Sequence, residues 1–193
     1  MPLSDDERTT LLQLARRSIE SVLLNRPTQD LAGVQGELKE PRGVFVTLKM
    51  KGELRGCIGY VEPRLPLAQA VQEVAQKAAF EDPRFMPLTE EELPDVEIEI
   101  SILSPLERVT DIHEIEVGKH GLVIDAGFTR GLLLPQVATE YHWNREQFLR
   151  HTAIKAGLPA DAWQKSGVRL YKFTTETFGE TSASSVEPHA AGS

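Results

Sequence analysis

Residues 54–59, Leu-Arg-Gly-Cys-Ile-Gly, are the part of this chain best equipped for chemistry, because they hold its single cysteine beside an arginine and two glycines. In a β-strand alternate side chains share a face, so Arg55, Cys57 and Gly59 would point the same way. A neighbouring guanidinium lowers the pKa of a thiol, and Gly56 and Gly59 leave room for a ligand or another backbone. The segment predicts a site in which Cys57 is a nucleophile or a polar anchor.

Cys57 and Arg55 each have a structural interpretation as well. A free cysteine usually packs as a small hydrophobe, and no histidine that would activate Cys57 lies within ten residues of it. Arg55 either clamps a carboxylate or phosphate or pairs with one of the chain's own acids, because a buried charge without a partner is too unfavourable. Both interpretations stay open.

Arg84 presents the same choice in the motif Asp-Pro-Arg-Phe at residues 82–85. It would act as a second anion clamp beside Arg55, or it would pair with Asp82 or Glu81 in a solvated turn.

Two carboxylates lie on a predicted strand at residues 96–102, where apolar and polar types alternate strictly. Glu97 and Glu99 share its polar face. This face is solvated, or one of its carboxylates meets Arg55 or Arg84 across neighbouring strands or a cleft.

Helices are predicted where apolar residues recur at helical spacing behind a capping residue or a proline. They begin at Ser4, Pro66, Pro135 and Asn144. The first is expected to reach about Asn25.

Strands are predicted where β-branched and apolar residues cluster between turn residues. Residues 44–50 and the cysteine segment form a predicted hairpin, which would place Cys57 on a central strand. The other strands are residues 96–102, the hairpin of 122–125 with 132–134, and a last strand at 168–173.

The composition narrows the classes of function. With 40% hydrophobic and 26% charged residues, the 193-residue chain can bury one sizeable core, and its net charge of -8 argues against a nucleic-acid or anionic membrane surface. The start of the chain does not resemble a signal peptide, which favours the cytoplasm. The histidines lack metal-ligand spacing, so no metal site is predicted. Residues 181–193 are expected to be disordered.

Six short motifs, which lie between residues 54 and 159, carry a resemblance that covers roughly residues 5–180. They read Leu-Arg-Gly-Cys-Ile-Gly, Pro-Leu-Ala-Gln-Ala-Val, Asp-Pro-Arg-Phe, Ile-Glu-Ile-Ser, Gly-Leu-Leu-Leu-Pro-Gln-Val and Lys-Ala-Gly-Leu-Pro. In this order and spacing the chain resembles the AMMECR domain family, whose prokaryotic members are called AmmeMemoRadiSam system protein A. The resemblance implies an α+β fold with mixed or antiparallel sheets and packed helices. It also implies a larger and a smaller lobe in a single domain over residues 1–180, and a cleft near the cysteine motif.

The resemblance also implies site residues and partners. By motif match it points to Arg55, Gly56, Cys57 and Gly59, supported by Asp82, Arg84, Glu99 and Gln136. The family name implies a functional association with a Memo-like protein and a radical S-adenosylmethionine enzyme. This chain lacks a three-cysteine cluster motif, so radical chemistry would belong to the partner, and no cofactor is predicted.

Two functions follow from these residues. In the first, the chain is an enzyme or enzyme component that binds a small anionic metabolite in a cleft, with Arg55 and Arg84 as clamps beside Cys57. In the second, it is a non-catalytic binding or adaptor module, and the cysteine motif is a structural strand beside a partner surface.

Overall fold

The computed structural model describes residues 2–180, and the predicted disordered tail at 181–193 lies outside them. The described helices are α1 (Asp5–Leu23), α2 (Leu67–Phe80), α3 (Pro135–Glu140) and α4 (Arg145–Lys155). The described strands are β1 (Val44–Met50), β2 (Glu53–Tyr60), β3 (Val96–Leu103), β4 (Glu107–Arg108), β5 (Gly121–Asp125), β6 (Arg130–Leu133), β7 (Arg169–Phe173) and β8 (Thr175–Gly179). They belong to two compact units, residues 2–102 with 176–180, and residues 103–175. The α+β prediction is confirmed.

The first unit holds a four-stranded sheet in the order β2-β1-β3-β8. β1 pairs antiparallel with both β2 and β3, and its alternate residues Val44, Val46 and Leu48 are fully buried with α1 and α2 in one core. The intervening residues Thr47 and Lys49 are half-buried on the opposite face. The sheet therefore has one apolar face and one polar face, as the period of two requires.

Helix α1 begins as predicted. The Ser4 side chain accepts a hydrogen bond from the Glu7 backbone N–H at 3.1 Å, and the Glu7 carboxylate accepts one from the Ser4 N–H at 2.9 Å, which completes a capping box. The helix ends at Leu23 rather than near Asn25, which has a left-handed φ of 53°.

Two predictions about strands are wrong. Cys57 lies on β2, which is an edge strand of the first sheet and not a central one. The strand at residues 169–173 is followed by another, β8, which joins the first sheet. The segment 175–179, Thr-Glu-Thr-Phe-Gly, has one large apolar residue, Phe178, so its pattern gives little indication of a strand.

The second unit holds the sheet β4-β7-β5-β6. β5 and β6 form the predicted antiparallel hairpin, with Leu122 opposite Leu133. Helix α4 begins with the predicted capping box of Asn144 and Gln147 and ends just before Gly157, which has a φ of 80°. Phe148 and Leu149 of α4 are fully buried in the core of this unit.

In the part of the chain that the structure describes, none of the helices has the length and apolar character to cross a membrane.

Candidate functional site

The backbone of Cys57 faces the open edge of the first sheet. Its N–H donates to the Asp82 carboxylate at 2.9 Å, and its carbonyl accepts from the Arg84 guanidinium at 3.4 Å. In an antiparallel pair, a residue whose backbone points outward sits in a non-hydrogen-bonded pair, where the side chains of the two strands are closest. Thr47, the β1 residue opposite Cys57, is accordingly within reach of the thiol.

The clamp over Cys57 consists of one buried carboxylate and one exposed guanidinium. Asp82 is 4% exposed and holds Arg84 through two side-chain hydrogen bonds, Nε to Oδ1 at 3.0 Å and Nη2 to Oδ2 at 2.8 Å. The Arg84 side chain is 55% exposed. The hydrogen bonds from Arg84, with those from the two backbone N–H groups, lower the pKa of Asp82 to about 2 although burial opposes the change. Asp82 is therefore ionised at neutral pH.

The Cys57 thiol is half-buried and lies 3.2 Å from the Thr47 hydroxyl oxygen. Burial raises the pKa of Cys57 above its ordinary value, and this effect outweighs the Thr47 hydrogen bond and the charge of Arg84, which both lower it. The expectation of a lowered thiol pKa is therefore wrong, and Cys57 is a neutral thiol at physiological pH.

Arg55 does not act on the thiol as predicted, because β2 contains a bulge. Leu48 is opposite Gly56 while Lys49 is opposite Leu54, so Arg55 is the extra residue on β2. A bulge breaks the alternation of side chains and redirects the residue within it. The Arg55 guanidinium forms two hydrogen bonds with Glu92, 37 residues further along the chain, at 3.0 and 3.1 Å.

Phe85 joins the two arginines into one network. Its ring centroid lies 5.9 Å from the guanidinium carbon of Arg55 and 5.4 Å from that of Arg84, which are distances of cation–π contact. The motif at 82–85 and the cysteine motif thus dock on each other. We call the residues Arg55, Asp82, Arg84, Phe85 and Glu92 the edge network.

The space left by the missing side chains of Gly56 and Gly59 is occupied by the protein's own atoms rather than left for a ligand. A Cβ on Gly56 would lie 2.2 Å from the Ala78 carbonyl oxygen, so α2 packs directly on the backbone of β2 there. A Cβ on Gly59 would lie 2.3 Å from the ring of Phe45, which covers that position on the other face. Both glycines allow close approach, which the sequence indicated.

Glu99 lies on the polar face of the sheet, opposite Thr47 on β1. Its carboxylate pairs with Lys49 at 3.5 Å rather than with either arginine of the edge network. Thr47 thus separates Cys57 and Glu99 in a row across three strands. Among residues 2–180, the structure has no cluster of three or more His, Cys, Asp or Glu side chains that would hold a metal ion.

Gln136, the remaining predicted site residue, belongs to the second unit. It is exposed in the first turn of α3, directly after the buried Pro135. It therefore belongs to a different compact unit from the elements that carry Cys57.

Three contact residues were missed by the sequence reasoning: Thr47, Phe85 and Glu92. Glu92 carried one usable signal, because it follows Thr89 at capping-box spacing and does bond that residue's backbone N–H at 3.0 Å. No pattern of neighbouring residues predicts its hydrogen bonds with Arg55, which is 37 residues away in the chain.

Comparison with known proteins decides the family. The family model for AMMECR1 matches residues 12–178. The chain belongs to the AMMECR1 family. The resemblance seen in its motifs is confirmed.

Similar chains come from archaea. A protein of Methanothermobacter thermautotrophicus is 47% identical over 189 residues, which cover 93% of this chain and 97% of that protein. A protein of Methanocaldococcus jannaschii is 42% identical and 92% of each chain is covered. The crystal structure of an uncharacterised protein from Pyrococcus horikoshii matches with a TM-score of 0.86 and 40% identity, over 92% of this chain and 93% of that one. The fold is therefore shared along nearly the whole chain.

Proposed function

We propose that this AMMECR1-family chain is a non-catalytic binding module rather than a thiol enzyme. The edge network carries the proposal, because both guanidinium groups beside Cys57 already bind the protein's own carboxylates. A thiol nucleophile needs a group that stabilises its thiolate, whereas burial raises the pKa of Cys57. Cys57 then serves as an anchor between Thr47 and the Asp82 carboxylate.

The outer side of the same segment supports recognition of a partner. Met86 directly follows the edge network and is 79% exposed, and Leu54 on β2 is 43% exposed. Pro83 and Pro87 are also exposed and restrict the backbone on both sides of Met86. A loop whose backbone is already restricted loses little backbone entropy on binding, and the flexible Met86 side chain can adapt its shape to a partner surface. We call residues 83–87 with Leu54 the edge surface.

The partners in this proposal are a Memo-like protein and a radical S-adenosylmethionine enzyme, which the family resemblance implies. The chain would dock on one of them through Met86 and leave the chemistry to that partner. Because the partner meets an ordered loop, we expect binding without a large rearrangement of the first unit.

Calorimetric titration of the purified chain into each partner protein from the same genome tests the proposal. We expect at least one complex, and we expect Met86→Ser to weaken it by about tenfold or more, as loss of an apolar anchor does. Phe128→Ser is the matched control, because Phe128 is 84% exposed in the second unit. Binding by neither partner, or equal weakening by both substitutions, would contradict the proposal.

A small anion is the second candidate ligand, and the exposure of Arg84 favours it. Although its carboxylate partner is buried, the Arg84 side chain is 55% exposed and remains reachable by a phosphate or carboxylate. Inorganic phosphate included in the same titrations separates the two candidates. Saturable phosphate binding that Arg84→Gln removes would support the anion, and heat changes only on partner addition would support the module.

A further inference from the structure

Three aromatic rings form a column on the surface of the second unit. The rings of Tyr141 and Trp143 are stacked with centroids 5.1 Å apart and planes at 17°, and those of Trp143 and His151 are 3.9 Å apart at 3°. Trp143 lies in the middle. We call these three residues the aromatic column.

The backbone around the column holds it in place. Tyr141 ends α3, where its N–H donates to the Val137 carbonyl, and His142 reverses the chain with a left-handed φ of 57°. The Trp143 N–H then donates to the Ala138 carbonyl at 2.9 Å. The backbone at positions 141 and 143 is thus fixed by hydrogen bonds within the protein.

The column is also tied to the core. The ring of Trp143 lies 6.5 Å from that of Phe148, which is fully buried on α4. His151 projects from the same helix, about one turn further on, and its ring stacks on that of Trp143. Packing of the second unit therefore fixes the position of Tyr141 through Trp143.

The outer ring face of Tyr141 is open. Tyr141 is 61% exposed although one ring face is covered by Trp143. Stacking on one face removes much of the area of a ring, so this exposure leaves the second face to solvent. A pre-ordered aromatic face with nothing on it is suited to extend the stack by one more planar ring.

We propose that Tyr141 is the stacking platform of a binding site for a nucleobase-type nitrogen heterocycle. Such rings stack on aromatic side chains with a favourable free energy whatever their identity. Glu140 and His142 are the exposed chain neighbours of Tyr141, and they offer a carboxylate acceptor and an imidazole donor or acceptor near the platform. This polar surrounding fits a heterocycle better than an apolar side chain. The net charge of -8 makes a free nucleoside a more suitable ligand than a nucleic acid.

Ligand-observed saturation-transfer NMR with adenosine and cytidine tests the site. We expect weak, saturable binding with a Kd of about 1 mM or weaker, because a single stacking contact adds little affinity. Tyr141→Ala should weaken binding by at least about fivefold, and Tyr141→Phe should retain it.

Phe128→Ala is the control, because Phe128 is exposed in the same unit and should not affect nucleoside binding. N-acetyltryptophanamide distinguishes a heterocycle site from a site for an aromatic side chain. The proposal is overturned by absent saturation up to the solubility limit, by unchanged binding in Tyr141→Ala, or by tighter binding of the tryptophan derivative.

Discussion

Asp82 and Arg84 replace the strand that β2 lacks on its outer side. An edge strand leaves backbone N–H and C=O groups without partners, which invites pairing with other chains. At Cys57 these groups instead bind a carboxylate and a guanidinium, and that ion pair is held together by its own bidentate contact. Arg84, one of the two arginines that suggested an anion clamp, thus binds the protein's own backbone together with Asp82.

Alkylation of Cys57 tests the state of the thiol. Because burial raises its pKa, the native protein should label slowly at pH 7 to 8, with an apparent pKa above the usual value of about 8.5. Thr47→Val removes a hydrogen bond that lowers this pKa, so its labelling should need a still higher pH. Iodoacetamide kinetics across pH, followed by mass spectrometry, give the values.

Thr177→Val is the control for that experiment. Thr177 also carries a hydroxyl in the first sheet, but it bonds Ser101 at 2.9 Å rather than the thiol. Rapid labelling of the native protein with an apparent Cys57 pKa below about 8.5 would contradict this prediction and support a reactive thiolate.

At the scale of elements, β2 is packed on both faces at its glycines. The Ala78 carbonyl of α2 approaches Gly56 from the core side, and the ring of Phe45 on β1 covers Gly59 from the other. A helix can lie this close to a strand only where the strand has no side chain. The position of Cys57 between these two glycines is therefore set by the packing of whole elements.

Gly56→Ala should destabilise the protein by about 1–3 kcal/mol or more, because the new methyl group overlaps a backbone oxygen that cannot move without shifting α2. Urea unfolding followed by circular dichroism measures the loss. Gly33→Ala is the control, since a Cβ there meets nothing within 4 Å and should change stability by less than about 0.5 kcal/mol. Equal midpoints for the two variants would contradict the close packing of α2 on β2.

At the scale of the whole molecule, pH affects stability through groups in different parts of the fold. His120 is 9% exposed in the second unit, and its Nδ1 accepts a hydrogen bond from the Glu116 N–H. Burial, followed by the charges of Lys172 and Lys119, lowers the pKa of His120, while Glu116 and Glu107 oppose this. The folded protein thus favours the neutral imidazole.

We expect the free energy of unfolding to fall as pH drops below about 6.5, because the unfolded chain then binds a proton that folded His120 resists. Urea midpoints from tryptophan fluorescence report on the second unit, since Trp143 and Trp163 both lie there. His120→Gln should flatten the dependence between pH 7.5 and about 5.5. A wild-type midpoint that stays constant or rises over this range would contradict the assignment.

At lower pH, protonation of Asp82 in the edge network should lower the free energy of unfolding a second time. The pKa of Asp82 in the folded protein is about 2, so its stabilising effect is present above the ordinary carboxyl value and is lost as pH falls towards 2. The decline due to His120 begins near its ordinary pKa of about 6.5 and that due to Asp82 near the ordinary carboxyl pKa of about 4, so the two declines begin in separate pH ranges.

The sequence by itself determined the family, the α+β class and those elements whose signals lie within a few residues. The capping boxes at Ser4 and Asn144 and the hairpin of β5 and β6 are of this kind. The pairing of Arg84 with Asp82 was one of the alternatives that proximity in the chain suggested, and the structure selected it. Spacing over three or four residues is enough for such features, because helix caps and tight turns bring near neighbours together.

Tertiary structure alone decided the chemical state of the candidate site. The thiol pKa of Cys57 depends on burial, the partner of Arg55 lies 37 residues away, and the edge position of β2 depends on how the strands are ordered. The aromatic column likewise needs α4 to carry His151 onto Trp143. Burial, strand order and ring stacking arise from contacts between segments distant in the chain, and a local pattern of residue types contains no measure of those distances.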